Sequence, residues 1–253
     1  MSYITQKGAS GALSLTSGGT FQQSTDSELA TLVGTRWDLS DGREVILVST
    51  GSTTTATAGQ LYQDAAVVPN HQNCAVASFT AYNGTTGVPA TVVVTLGNTA
   101  ITANQYRGGL LVVNAGTGIG QTLRIASHGA AAGSGTTAVV LEDSPNIALS
   151  VSDSKVCFNN VHGANVIVSP TTQTGAVAGV GLYRISPSSY GFMTSKGLTS
   201  CLSDALVAAV GQAISPSVTT AGTVTLSGST TAILGYASQT AVSAEARTVF
   251  LNV

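Results

Sequence analysis

The sequence predicts a mainly β protein: an antiparallel β-sandwich or barrel body, a smaller C-terminal β-barrel-like unit and an extended N-terminal arm. Three observations predict it. Short apolar or alternating runs recur along the chain, rich in β-branched residues, as in Thr91–Leu96 (TVVVTL). Glycine-rich links separate them, such as Ala115–Gly120 (AGTGIG), where several residues tolerate positive φ. No stretch carries the 3.6-residue periodicity of a long amphipathic helix, which leaves sheet-on-sheet packing to build the core.

The elements follow in chain order. Residues 1–36 read as an arm dominated by Gly, Ser, Thr and Gln, with too few apolar residues to form a core of their own. Asp26–Val33 suits a short helical turn. The folded body is expected over 37–186. It opens at Trp37, the single tryptophan, followed by the Asp41-Gly42-Arg43 turn and the strand Glu44–Ser49 (EVILVS). Gln60–Val67 fits a short helix or a strand. Cys74–Tyr82 alternates as a strand does, and Asn83-Gly84-Thr85 is a turn. The central block has strands at Thr91–Leu96, Leu110–Asn114 and Gln121–Ala126, the last two forming a hairpin. Thr137–Leu141, Lys155–Phe158, Asn165–Val168 and Val177–Ile185 complete the body. A boundary is drawn at Ser186–Ser189. Residues 187–253 then offer six short runs with glycine-rich turns, a pattern that fits a small barrel: Tyr190–Ser195, Leu198–Leu202, Leu206–Ala209, Val218–Leu226, Thr231–Tyr236 and Arg247–Val253.

Composition narrows the function. Of 253 residues, 9 are Lys or Arg and 11 are Asp or Glu, so charge makes up 8% of the chain against about 25% in an ordinary soluble domain. A surface covered by Thr, Ser, Asn, Gln and Gly is poorly protected against association, which points to a subunit covered by neighbours. Net charge is −2 and no basic run could track a phosphate backbone, so nucleic acid is not an expected partner. No apolar stretch approaches the ~20 residues of a membrane helix, and the opening MSYITQKGASGA lacks a secretory pattern. Cys74, Cys157 and Cys201 are expected to be reduced and buried, since each sits among apolar neighbours and none forms a CxxC pair.

Chemical motifs are sparse. Gly116-Thr117-Gly118-Ile119-Gly120 lacks the G-x-G-x-x-G spacing and precedes a strand, so it reads as a turn. Ser152-Asp153-Ser154-Lys155 matches S-x-x-K, but without the S-D-N and K-T-G partners or a helix start. His71, His128 and His162 lie in turn-like contexts and are expected to hydrogen-bond the backbone; a site with Asp64 or Asp153 would be their functional alternative. No spacing supports a metal site, and no catalytic residue, cofactor or metal is assigned.

The run Asp41–Glu44, Gly59–Gln63, His71-Gln72-Asn73, Val92–Ile101, Thr102–Tyr106, Gly108-Gly109, Gly118–Gln121, Tyr190–Thr194 with Gly197, and Ile233-Leu234-Gly235 resembles virion structural proteins of tailed bacteriophages, of the head-decoration (cement) type. The resemblance covers roughly 37–253. It implies a non-enzymatic protein on the capsid exterior, made in the cytoplasm of a bacterial host. Such a protein stabilises an icosahedral head by bridging neighbouring major capsid subunits, as a homotrimer without membrane or nucleic-acid partners. Leu13, Leu15, Phe21, Leu29 and Trp37 are the expected interaction residues, anchoring the arm in a partner's groove. The alternative is a tail or spike subunit binding a host surface carbohydrate, with Trp37, Tyr62, Tyr82, Tyr106 and Tyr183 as stacking faces.

Overall fold

The computed structural model describes residues 22–151, 153–204, 210–228, 232–242 and 244–253. In chain order the strands are β1 (Arg36–Asp38), β2 (Glu44–Ser49), β3 (Leu61–Gln63), β4 (Cys74–Thr80), β5 (Thr91–Thr95), β6 (Leu110–Ala115), β7 (Thr122–His128), β8 (Thr136–Leu141), β9 (Lys155–Asn159), β10 (Ile167–Val168), β11 (Val177–Gly181), β12 (Tyr190–Leu202), β13 (Ala213–Pro216), β14 (Val224–Leu226), β15 (Gly235–Ala237) and β16 (Ala246–Asn252). The mainly β expectation holds. Helix among the described residues is confined to two short 3-10 turns, Ser27–Thr31 and Pro69–His71.

The chain forms two compact units. Residues up to Ala66 join His162–Val253 in one unit, and Val67–Val161 form the other, inserted between β3 and β10. The first unit is a ten-stranded sheet with the path β10-β3-β11-β12-β16-β15-β13-β14, to which β2 and β1 add beside β12. The thirteen-residue β12 organises it. Its first half pairs antiparallel with β2, from Tyr190↔Ser49 to Lys196↔Glu44, and its second half pairs with β16, from Lys196↔Asn252 to Leu202↔Ala246. A bulge between Thr194 and Lys196 marks the change of partner. Gly197, at φ 94°, follows it; a Cβ there would lie 2.9 Å from the Arg43 Cα.

Strand β2 explains its own sequence. Val45 and Leu47 pack with Leu29 and Phe192 on one face; Ile46 and Val48 pack with Tyr62, Ile185 and Met193 on the other. A strand covered on both faces reads as a continuous apolar run instead of an alternating one. A further core holds Leu61, Val180, Cys201, Ile214, Val249 and Leu251.

The inserted unit is a closed six-strand barrel, order β4-β5-β8-β7-β6-β9. Every ladder is antiparallel. Alternation supplies its interior: Val92 and Val94 from β5, Leu111 and Val113 from β6, Leu123 and Ile125 from β7, Val139 and Leu141 from β8, and Val156 and Phe158 from β9. Full burial contributes roughly 1.5–3 kcal/mol for each such Val, Leu, Ile or Phe.

Two features of the expected organisation are corrected. The closed barrel lies in the middle of the chain, within residues assigned to the body, and not after residue 187. No boundary falls at Ser186–Ser189, because β11 and β12 pair across it, Val180 with Thr194 and Gly181 with Met193. The short C-terminal strands β13–β16 extend that same sheet. The run expected at Leu206–Ala209 lies outside the described residues.

The described part of the expected arm is bound to its own chain. Ser24 exchanges backbone hydrogen bonds with Tyr190 at 2.7 and 3.0 Å. Asp26 caps the Ser27–Thr31 turn by accepting from the Glu28 N–H at 3.0 Å. Leu29 is buried against Val45, Leu47 and Phe192.

Candidate functional site

A buried group of two histidines and a tyrosine lies inside the barrel. His71, Tyr106 and His128, all buried, gather around Phe158. The Tyr106 ring lies 5.2 Å from that of Phe158, and the His71 and His128 rings lie 6.3 and 6.1 Å from it. His71 reaches this place on the Pro69–His71 turn, Tyr106 on the connection before β6, and His128 as the last residue of β7.

The hydrogen bonds fix both tautomers. His128 Nε2 accepts from the Tyr106 backbone N–H at 3.0 Å, so the proton is on Nδ1, which donates to the Gly129 carbonyl at 2.9 Å. His71 Nε2 faces the Thr99 carbonyl at 3.1 Å and must donate there; Nδ1 then accepts from the Tyr106 hydroxyl at 2.8 Å. Burial pushes the His128 imidazole below its ordinary value, and nearby His71 pushes it the same way. Burial raises the Tyr106 phenol to about 12. Every ring nitrogen is thus committed to a structural bond, and the phenol keeps its proton at neutral pH. The group ties the Pro69–His71 turn, the connection before β6 and the end of β7 to one another.

The third histidine pairs with the side chain of Asp64, which was the alternative to the expected backbone bond. In the first unit His162 Nδ1 donates to Asp64 Oδ2 at 2.8 Å, and Asp64 Oδ1 accepts from the Gly163 N–H at 2.8 Å. One carboxylate therefore ties the segment after β3 to the segment before β10. Asp153 is engaged elsewhere, accepting from the Thr117 N–H at 2.7 Å and from its hydroxyl at 3.0 Å. In the S-x-x-K motif Ser152 lies outside the described residues, and Lys155 begins β9. No cluster of three metal-ligating side chains occurs among the described residues, and no helix there is long and apolar enough to cross a membrane.

The expected interaction residues divide. Leu13, Leu15 and Phe21 lie outside the described residues. Leu29 and Trp37 come together in one cluster of their own chain, with the half-buried Trp37 edge-on to Phe192 at 5.2 Å. Of the five aromatics considered for carbohydrate stacking, Tyr62 and Tyr106 are buried, Trp37 and Tyr183 are half-buried, and Tyr82 is exposed. Cys74 and Cys201 are buried free thiols, with Cys201 raised by burial to about 12. Cys157 is half-buried, because it alternates with Val156 and Phe158 on β9 and faces away from the interior.

Among the described residues of the first unit, two concavities stand out. The larger, about 840 Å³, is lined by Gln173, Val177, Pro216, Val218, Ile233 and Leu234 among others and is mainly apolar. The smaller, about 460 Å³, opens beside β12 between Arg43, Gly59, Gly181 and Leu182. Sequence reading missed both, since their walls come from segments far apart in the chain. The one usable signal, for the smaller hollow alone, was the apolar Leu198 at an outward position of β12, where alternation would place a polar residue.

Compared with known proteins, the chain matches no family model, no curated protein sequence and no solved structure.

Proposed function

We propose that the chain is a structural virion protein that decorates and stabilises the icosahedral head of a tailed phage. It would bridge neighbouring major capsid subunits as a homotrimer on the capsid exterior, without catalysis. The carrying observation is antiparallel strands, in both units, that display apolar side chains on a surface with very little charge. Tyr82, Ile119, Leu198, Tyr236 and Phe250 are all exposed, while 9 basic and 11 acidic residues are spread over 253 positions. The histidines support the non-enzymatic reading, each being spent on a hydrogen bond within its own unit.

Leu29 and Trp37 serve the chain's own core, so the contact role passes to exposed apolar residues of the strands, with Leu13, Leu15 and Phe21 kept as candidates. Bridging several shell subunits at once stabilises the shell by mass action and avidity. Contacts of this kind resist moderate salt, because screening acts on exposed charges and there are few to screen. The test mixes purified protein with undecorated heads, counts copies per head and washes at rising ionic strength. Hundreds of copies retained through moderate salt support the proposal. Failure to load refutes it, and a handful of copies per intact virion would favour the tail or spike role.

A further inference from the structure

The outward face of β12, β16, β15 and β13 carries a row of side chains in register. Leu198 stands opposite Phe250, Phe250 opposite Tyr236, and Tyr236 opposite Ala213. Directly opposed residues on antiparallel strands share a face, so these four lie side by side over ~15 Å. Leu198 is 53% exposed, Tyr236 52% and Phe250 43%. The inward neighbours Val249 and Leu251 fill the core, so the row is a second apolar surface on strands already satisfied on the other side. The hollow of about 460 Å³ lies next to it, with Leu198, Ser200, Ala246 and Thr248 forming the shared wall and Ala58, Gly59, Gly181 and Leu182 lying beyond.

We propose that this face is the self-association surface of the protein: the Phe250–Tyr236 ridge of one copy seats in the Leu182–Gly59 hollow of the next, and the contact repeats around a closed ring. Three features select a second copy as the occupant. Ridge and hollow sit side by side on one face, so each copy carries both halves of a head-to-tail contact. The face is almost uncharged. Lys196 stands at one end of the row, and Arg43 at the hollow is held by Asp41 at 2.7 Å. Two copies therefore meet without repulsion, and a strongly charged partner would find nothing to pair with. The three exposed side chains offer roughly 300 Å² of apolar surface, the size of a large patch on a monomer. With the hollow and its rim this supplies the core of a face needing about 800 Å² per partner.

The inference rests on the proposed homotrimer for the ring size; the face itself is independent of any capsid. The experiment is sedimentation velocity on the full-length chain and two variants. Phe250→Lys with Tyr236→Lys removes the ridge, and Ala246→Arg fills the hollow. All these positions are exposed strand sites, and unchanged circular dichroism certifies the fold; Phe250→Ser with Tyr236→Ser replaces a ridge variant that fails this check. The wild type is expected at three times the monomer mass and each variant at the monomer mass. An equimolar mixture of the two variants is expected to regain a dimer, since one intact ridge meets one intact hollow. A monomeric wild type, a variant that keeps the wild-type mass, or a mixture that stays monomeric overturns the assignment. Failure of the capsid reading shows differently, as a trimer that never loads onto heads.

Discussion

Replacing Tyr106 with Phe isolates one buried hydrogen bond. The hydroxyl donates to His71 Nδ1 at 2.8 Å; His71 has no exposed surface and Tyr106 only 3%. The substitution keeps the ring, its packing on Phe158 and the backbone N–H bond to His128. It leaves His71 Nδ1 an acceptor without a donor, since Nε2–H is already committed to Thr99. Stranding a buried polar atom costs about 1–3 kcal/mol. For a unit the size of the barrel each kcal/mol lowers Tm by about 4–8 °C. Urea unfolding and calorimetry measure the loss, and Trp37, which lies in the other unit, reports that unit's transition separately. Alkaline titration gives a second readout. Tyr106 ionises near 10 unfolded and about 12 folded, so its contribution is complete below pH 10 and lost as pH rises through about 12. A loss below about 0.5 kcal/mol in Tyr106→Phe would show that the His71–Tyr106 bond is solvated or dispensable, and would refute the assignment of this cluster as a rigid, dry group.

Further expectations concern other parts of the fold. His128 is held below its ordinary 6.5, so its contribution is full above that pH and falls as pH drops below it, by at most about 1.4 kcal/mol per unit; urea midpoints that stay flat between pH 7 and 5 would contradict this. The carboxylates of Asp41, Glu44 and Glu245, all lowered, contribute in a separate window below pH 4.5. Cys157 should react with a thiol reagent well before Cys74 and Cys201, and simultaneous labelling of all three in the native protein would contradict the burial described. Gly116→Ala places a methyl against the Asp153 carbonyl at φ 74°, and should lower barrel stability by at least about 1–3 kcal/mol in the same urea assay.

Most strands were legible because their pattern is local. Glu44–Ser49 was read with its observed bounds, and Thr91–Thr95, Thr136–Leu141 and Lys155–Asn159 were each placed to within a residue. Errors arose where a long-range partner decides. β12 was split in two at Lys196-Gly197, since a glycine inside an apolar run resembles a turn; pairing with β2 and then β16 carries the strand through. β13 was missed because Ala213–Pro216 is short and ends in proline, which the ladder tolerates there as the strand's last residue. The insertion left no mark at all. Ala66-Val67 and Val161-His162 carry no compositional break, and a barrel closed by pairing β4 with β9 is invisible until residues 74 and 156 are known to meet. The histidine cluster was hidden for the same reason, since 35 residues separate His71 from Tyr106 and 22 separate Tyr106 from His128.

The described part of the arm, residues 22–36, packs on its own chain. Residues 1–36 carry too little apolar surface to form a core, and that remains true of the segment taken alone. The step from there to a partner molecule assumed that a segment unable to bury itself must be buried by another chain. Its own chain can serve equally well. β2 is apolar at Val45 and Leu47 on a face that its sheet leaves open, and Phe192 of β12 lies beside them. Leu29 covers that face and Trp37 seals its edge against Phe192. Closing such a loop onto its own sheet costs only a few kcal/mol of chain entropy, growing slowly with length, whereas recruiting a second molecule costs translational and rotational freedom as well. At Leu29 the intramolecular contact therefore wins. Surface left over for partners is better sought on strands that show apolar side chains on both faces, as β12 and β16 do at Leu198 and Phe250.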